Sequence, residues 1–98
     1  MALIIRTDGS TEKINNPTLE QLQEAVGGRI EYVRIREGLI DGSNYMYCNE
    51  EGKNEGLEYN EHATILAEGC IMSWDFIVGN VVVMFEGEDG NLGVLEEE

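Results

Sequence analysis

The chain has 98 residues, of which 42% are apolar and 27% are charged, and its net charge at pH 7 is −14. This apolar content is typical of one small folded domain rather than of a disordered acidic chain, and the charge argues against nucleic acid or anionic membrane as direct partners. The charge is also uneven. Residues 1–49 carry seven acidic and five basic residues, whereas residues 50–98 carry thirteen acidic residues and one basic residue, Lys53.

A β-hairpin is the first predicted element. Residues 3–5 predict a strand, Asp8-Gly9 predicts a two-residue turn, and residues 11–14 predict the returning strand. Pro17 ends this sheet segment, because proline cannot donate a hydrogen bond to a neighbouring strand.

The next predicted element is a helix that begins at Thr18. Thr18 and Gln21 form a capping box, in which each side chain bonds a free backbone N–H of the helix start. Gly27-Gly28 ends the helix, because glycine adopts the left-handed conformation that follows a helix. The inward face is an apolar stripe with the spacing i, i+3 and i+7, formed by Leu19, Leu22 and Val26.

Strands and one loop are predicted in the middle of the chain. Residues 30–35 and 45–48 are rich in β-branched and aromatic residues and predict two strands. Residues 37–44 contain two glycines and predict a loop between them, and residues 57–59 predict a short edge strand.

The last predicted elements are a helix and the most apolar strands. Asn60 is the N-cap of a helix over residues 61–68, whose inward residues are Ala63, Leu66 and Ala67. Residues 76–78 and 81–85 predict central strands separated by a bulge or tight turn at Gly79-Asn80, and residues 94–95 predict a returning strand. The sequence therefore predicts one domain over residues 1–98. Its fold is α+β, a mostly antiparallel sheet of five or six strands with two helices on one face.

Five short motifs follow one another along nearly the whole chain. They are Asp8-Gly9, Val26-Gly27-Gly28-x-Ile30-Glu31, Asn49-Glu50-Glu51-Gly52-Lys53, Gly56-Leu57 with Asn60 and Ala63-Thr64, and Asp75-x-Ile77-Val78-Gly79. In order and spacing they resemble a family of small domains of unknown function found in bacteriophages, plasmids and mobile elements. The resemblance implies a cytosolic accessory protein of phage or mobile-element type, and no activity that transfers with it. The loop at residues 37–44 and the acidic second half depart from the family pattern.

No metal, cofactor or catalytic site is predicted. His62 is the single histidine, and with Cys48 and Cys70 it supplies three candidate ligands where a structural zinc site needs about four. Residues 86–91 resemble a calcium loop but lack its alternating aspartates and closing glutamate. We expect both cysteines to be reduced and buried, and we expect the protein not to be an enzyme.

A small-ligand site is one alternative for the function. Tyr32, Arg34 and Arg36 share one face if the strand extends through all three, and there they could stack on and clamp a nucleotide. This alternative is a sequestering module with its pocket between the subunits of a homo-oligomer. The competing interpretation is an exposed strand face that carries ordinary solubilising charge.

The acidic second half is the main candidate for function. Candidate partner-binding residues are Glu55, Glu58, Glu86, Glu88 and Asp89. On an extended strand Glu86 and Glu88 would lie about 6.6 Å apart on one face, and DNA phosphates repeat every 3.4 Å or so along one strand. Carboxylates at such intervals could occupy the nucleic-acid groove of another protein. The competing interpretation is that the charge only maintains solubility.

These observations favour a non-catalytic accessory protein that docks on a basic surface of a host protein. That partner would be a defence or nucleic-acid-processing factor, which the carboxylates inhibit by mimicking nucleic acid. Residues 1–6 have neither a basic segment nor a long apolar run, and no apolar run approaches the roughly 18 residues of a membrane span. We therefore expect a cytoplasmic protein.

Overall fold

The computed structural model describes residues 1–36 and 38–85, and these residues form one sheet and two helices. In chain order the elements are β1 (Ala2–Ile5), β2 (Thr11–Ile14), α1 (Leu19–Val26), β3 (Ile30–Arg34), β4 (Tyr45–Asn49), α2 (Glu61–Ala67) and β5 (Val81–Met84). The five strands of this described part lie in the order β2-β1-β5-β4-β3, and each neighbouring pair is antiparallel. The predicted α+β fold with an antiparallel sheet is confirmed.

The centre of the sheet is β5, which is apolar at every position. Val81, Val82 and Val83 are fully buried, as in a strand that is covered on both faces. Val82 packs in the apolar cluster that contains residues of α1, whereas Val81 and Val83 pack with residues of α2. The helices therefore cover opposite faces of the sheet. The expectation that both lie on one face is wrong, because apolar composition shows that a strand is buried but not which segment covers each face.

Both ends of α1 lie where the sequence predicts them. The hydroxyl of Thr18 accepts the N–H of Gln21 at 3.1 Å, and the side-chain oxygen of Gln21 accepts the N–H of Thr18 at 2.8 Å. Gly27 ends the helix with a φ of 85°, in the left-handed region. The capping box and the glycine stop are both confirmed.

The inward face of α1 is shorter than its apolar stripe. Leu22 and Val26 are buried with Ile4 and Val82, but Leu19, in the first turn, is 58% exposed. A stripe identifies one face of a helix, but it does not show how far the sheet extends beneath that face.

The first hairpin is confirmed with a longer loop than predicted. The N–H of Arg6 donates to the carbonyl of Ser10 at 2.9 Å, so the loop consists of residues 7–9. Gly9 has a φ of 90° and donates its N–H to the carbonyl of Arg6 at 2.9 Å. This is a three-residue loop with glycine at its left-handed position, whereas a two-residue turn at Asp8-Gly9 was expected.

Residues 57–59 and 76–78 are not strands. Their β pairing within the described residues is one isolated antiparallel bridge, between Tyr59 and Val78. The chain turns directly after this bridge at Gly79, whose φ is 78°. A Cβ on Gly79 would lie 2.8 Å from a methyl group of Leu57, so the turn also brings these two segments into close contact. The tight turn predicted at Gly79-Asn80 is confirmed, and the strands predicted on these two segments are wrong.

Asn60 connects α2 to the rest of the fold through hydrogen bonds. Its side-chain oxygen accepts the N–H of Ala63 at 3.0 Å, which confirms its role as N-cap. Its side-chain amide donates to the carbonyls of Ile5 at 3.1 Å and Gly79 at 2.9 Å. Its backbone N–H donates to Ile77 at 2.9 Å, and the residue is fully buried. One side chain therefore joins the helix start, β1 and the turn before β5.

Candidate functional site

Large apolar side chains are exposed on α2 and on the segments before and after it. We call this set the aromatic surface, and its members are Tyr59, Ile65, Met72, Trp74 and Phe76. Tyr59, Ile65 and Met72 line a groove of ≈ 340 Å³, and the ring of Phe76 lies 6.1 Å from that of Tyr59 in an edge-to-face arrangement. Trp74 is 76% exposed and Met72 is 65% exposed. Grouped aromatic and methionine side chains of this kind are typical of the centres of protein–protein interfaces.

Residues of α2 and of the segment 70–78 hold the aromatic surface in place. The hydroxyl of Thr64 donates to the carbonyl of Asn60 at 2.9 Å and accepts the N–H of Ile77 at 2.9 Å. The carboxylate of Asp75 accepts the N–H of Phe76 at 2.8 Å. Because α2 buries its alanines against the sheet, its opposite side, with Ile65, is left facing solvent.

Acidic residues surround the aromatic surface. Residues 50–75 carry seven acidic residues against one basic residue, Lys53. Glu68 and Asp75 line the groove and form ion pairs, Glu68 with Arg36 at 3.3 Å and Asp75 with Lys53. The hydrogen bond from Lys53 lowers the pKa of Asp75. Glu61, in the first turn of α2, forms no ion pair in the described part of the chain, so the margin of this surface is negative.

A second concavity, the edge cavity, lies between the edge strand β3 and the segment 70–78. Its volume is ≈ 540 Å³, and Glu31, Cys48, Lys53 and Cys70 are among its lining residues. Cys48 is buried, and its thiol donates to the carboxylate of Glu31 at 3.9 Å. Burial, followed by the charge of Glu31, raises the pKa of Cys48 to about 12, so the thiol stays protonated at neutral pH. Cys70 is exposed, which corrects the expectation that both cysteines are buried.

Two of the three predicted ligand-binding residues come together. Tyr32 and Arg34 lie on the exposed edge strand β3 and line the edge cavity. The ring of Tyr32 stacks on that of Tyr45, with centroids 5.1 Å apart and 21° between the planes. Arg36 lies beyond the end of β3, where its backbone N–H donates to Leu66 at 2.7 Å and its side chain pairs with Glu68. The alternation that would put Arg36 beside Arg34 ends with the strand.

Two of the predicted partner-binding acids, Glu55 and Glu58, lie in the described part of the chain. Glu55 accepts a hydrogen bond from the side chain of Asn49 at 3.3 Å, and Glu58 accepts one from Thr7 at 3.1 Å. Both lie outside the helices and strands, so a spacing of three residues does not put them at a regular interval. Glu86, Glu88 and Asp89, like the strand predicted at residues 94–95, lie outside the described residues.

Sequence reasoning missed the aromatic surface and the edge cavity. One sequence feature could have indicated the aromatic surface. Met72, Trp74 and Phe76 alternate with Ser73 and Asp75 in a segment close to Gly69. Large apolar side chains among residues that favour turns are difficult to bury. Nothing in the sequence brings Glu31 next to Cys48, because their contact depends on the register of β3 with β4.

Neither a metal site nor a membrane-spanning helix is found within the described ranges. Across residues 1–36 and 38–85, no three side chains of His, Cys, Asp or Glu come together in a way that could hold a metal ion. No helix in the same ranges has the length and apolar character needed to cross a membrane.

Comparisons with known proteins give one match. The family model described as "Domain of unknown function (DUF3846)" matches residues 1–98. No curated protein matches, and no solved structure matches. The resemblance to a family of domains of unknown function is thereby confirmed, whereas its phage and mobile-element context stays a prediction.

Proposed function

This chain belongs to the family of the domain of unknown function DUF3846, and on that premise we propose that it is a non-catalytic accessory protein that docks on a basic surface of a host protein. The observation that carries the proposal is the aromatic surface with its acidic margin. The occupant that fits is a protein segment with apolar side chains flanked by lysine or arginine.

The apolar part of the surface supplies the affinity in this proposal. Tyr59, Met72, Trp74 and Phe76 are residue types enriched at interfaces, and tryptophan and tyrosine are common among the side chains that dominate binding energy. In free protein they are exposed at a cost in hydration free energy, which a partner with complementary apolar side chains removes.

The acidic margin selects a basic partner and speeds its approach. Complementary charge across an interface acts mainly on the association rate and on the rejection of other partners. Glu61 forms no ion pair among the described residues and remains available to a partner's cations. The negative charge of this surface repels nucleic acid, so the partner is a protein.

Within this proposal the host partner is a defence or nucleic-acid-processing factor in the cytoplasm. A surface that binds phosphates is basic, and a protein with a net charge of −14 competes for such a surface. Resemblance to phage and mobile-element proteins supports a host target. The predicted contribution of Glu86, Glu88 and Asp89 belongs to the same mechanism.

The edge cavity supports a second candidate function, the small-ligand module. Its volume of ≈ 540 Å³ lies in the range of ligand sites, and Tyr32 and Arg34 are among its lining residues. Arg36 takes no part in it, and the side chains of Tyr32 and Arg34 lie on the face of β3 opposite to that of Glu31, so this candidate rests on the volume of the cavity and not on the predicted clamp.

The fluorescence of Trp74 tests the docking proposal, because Trp74 is the only tryptophan of the chain. The probe is a short amphipathic peptide of Lys, Leu and Phe, compared with the same peptide carrying Glu in place of Lys. We expect a blue shift with the basic peptide only. The association should slow as salt rises from about 0.05 M to about 0.5 M, because screening shortens the reach of the charges.

Matched variants locate the binding. Replacing both Ile65 and Met72 by serine should weaken the affinity for the basic peptide by about tenfold or more, as expected for residues at the centre of an interface. Leu19→Ser is the control, because Leu19 is similarly exposed but lies on α1, across the sheet. The proposal would be contradicted if the acidic peptide bound as tightly as the basic one, or if Leu19→Ser lost as much affinity as the double serine variant.

The same variants then serve in a pull-down from host lysate. A genuine partner should be lost with the Ile65→Ser/Met72→Ser variant and retained with Leu19→Ser.

A further inference from the structure

The edge cavity has a mixed lining, in which apolar side chains lie among polar and charged groups. Val33, Ile71 and Ile77 form part of its lining, and all three pack in or against the buried core. Glu31 and Lys53 provide charged groups at the same cavity. Sites of this size with such a lining usually take a small organic molecule whose body is apolar and whose charged group is recognised by a side chain.

Most charges at the cavity are already paired. Lys53 pairs with Asp75, and the carboxylate of Glu50 pairs with the guanidinium of Arg29 at 2.8 Å. Glu31 has no ion pair in residues 1–36 and 38–85, and its neighbour Cys48 offers a neutral thiol. The cavity therefore has one carboxylate that lacks a counter-ion.

Arg34 does not neutralise this carboxylate. Arg34 also lines the cavity and forms no ion pair within the described ranges. Alternation along β3 puts the side chains of Glu31 and Arg34 on opposite faces of the strand, so they cannot pair with each other there.

The cavity already accommodates one ammonium group. The Nζ atom of Lys53 contacts the carboxylate of Asp75 and lies 4.6 Å from the centre of the Phe76 ring. A carboxylate and an aromatic face are the two groups that recognise organic cations. The lining thus accommodates a partly exposed ammonium when a carboxylate and an aromatic ring are next to it.

We propose that the edge cavity binds a small organic ammonium ion with an apolar body, and that Glu31 is its counter-ion. The apolar body lies over Val33, Ile71 and Ile77, and the ammonium donates to the carboxylate of Glu31. This ligand class differs from the nucleotide alternative, because an anion would meet Glu31 and a protein of net charge −14. The proposal does not rest on protein docking at the aromatic surface, although Phe76 belongs to that surface and also lines the cavity.

Probes of matched shape test the ligand class. Phenethylamine, phenethyl alcohol and adenosine monophosphate are titrated into ¹⁵N-labelled protein, and the amide shifts are followed. We expect saturable shifts with phenethylamine at residues 31–33, 48, 53–54, 70–71 and 75–78, and binding at least about tenfold weaker for the alcohol, which lacks the charge-assisted hydrogen bond. Equal or tighter binding of the nucleotide, shifts confined to other residues, or no binding of phenethylamine would each overturn the proposal.

Capped lysine amide separates two sources of the same ammonium chemistry. A free amine is supported if phenethylamine binds more tightly than capped lysine. Tighter binding of the capped lysine would assign the cavity to a lysine side chain of a partner protein and overturn the free-amine proposal.

Glu31→Gln tests the counter-ion while keeping the shape of the side chain. We expect phenethylamine to bind this variant at least about tenfold more weakly and the alcohol to bind it unchanged. Glu20→Gln is the control, because Glu20 lies in the first turn of α1, away from the cavity. Cys70→Trp, at an exposed position of the cavity lining, should abolish binding of both probes without touching the core. Unchanged phenethylamine affinity in Glu31→Gln would overturn the assignment.

Discussion

At the scale of single residues, Asn60 connects more of the fold than any local pattern suggests. A buried asparagine is tolerated only when its donors and acceptor are satisfied, because an unpaired buried polar group costs about 1–3 kcal/mol. Asn60 meets this condition with three side-chain hydrogen bonds to three different segments. The cap of α2 is therefore also a junction between the helix, β1 and the turn at Gly79.

Asn60→Ala should lower the free energy of unfolding by about 3 kcal/mol or more, because it removes three buried hydrogen bonds, to Ile5, Gly79 and Ala63. Thr18→Ala, which removes the exposed cap of α1, should cost about 1 kcal/mol. Urea denaturation followed by circular dichroism measures both. Equal costs for the two caps would show that the bonds from Asn60 to Ile5 and Gly79 contribute nothing.

The two cysteines should differ in reactivity. With Ellman's reagent at pH 8 we expect one fast thiol, Cys70, and a second only after denaturation, because Cys48 is buried and its pKa is about 12. Cys70→Ser should remove the fast phase. A fast phase that survives in that variant would contradict the assignment.

The raised pKa of Cys48 also predicts a dependence of stability on pH. The ordinary value is 9.0 and the folded value is about 12. Between these values the unfolded chain releases the thiol proton while the folded chain keeps it, so stability should fall as pH rises from 9 toward 12. Below pH 9 the contribution is complete. Between pH 9 and 12 the denaturant midpoint should fall less steeply with pH in Cys48→Ala than in the unchanged protein. An identical pH dependence in the two proteins would count against the prediction.

At the scale of elements, the C-terminal end of α1 depends on one glycine conformation. Gly27 has a φ of 85°, and a Cβ there would meet nothing closer than 3.8 Å. Glycine is therefore required at position 27 by the backbone conformation and not by steric crowding. Gly28 differs, since a Cβ there would lie 3.0 Å from the side chain of Asn49.

Gly27→Val should destabilise the fold by at least about 1 kcal/mol, because a β-branched side chain is disfavoured in the left-handed region. Gly27→Asn should cost clearly less, because asparagine tolerates that region. Thermal and urea unfolding of the pair provide the comparison. If both substitutions lower the stability equally, the left-handed conformation of residue 27 is not the cause of the loss.

At the scale of the whole molecule, the net charge of −14 opposes the compact state. Only four ion pairs form among the described residues, and all involve exposed or partly exposed groups. The fold therefore persists against self-repulsion through its apolar core, and the excess charge is available for recognition.

Raising sodium chloride from about 0.02 M to about 0.5 M should increase the melting temperature, because the Debye length falls from roughly 20 Å to roughly 4 Å and repulsion is screened. A variant with Glu20, Glu24, Glu51 and Glu61 changed to glutamine should respond less. Circular dichroism melts measure both. A melting temperature that falls with salt would mean that attractive ion pairs dominate over repulsion.

The sequence by itself determined features whose causes lie within a few residues. The capping box at Thr18, the glycine stop at Gly27, the cap at Asn60 and the central position of Val81–Met84 all follow from local conformational preferences or from apolar composition. The α+β class follows from these elements taken together. The candidate ligand residues were partly found, because Tyr32 and Arg34 share a strand that the sequence predicts.

The tertiary structure alone decided which segments meet. It put the two helices on opposite faces, paired Arg36 with Glu68, reduced two predicted strands to a single bridge, and left Trp74 and its neighbours exposed beside α2. It also brought Glu31 to the buried thiol of Cys48 through the pairing of β3 with β4. The physical reason is the same in each case. Long-range packing selects among partners that local preferences leave equivalent, and the sites arise where that packing leaves apolar or charged groups uncovered.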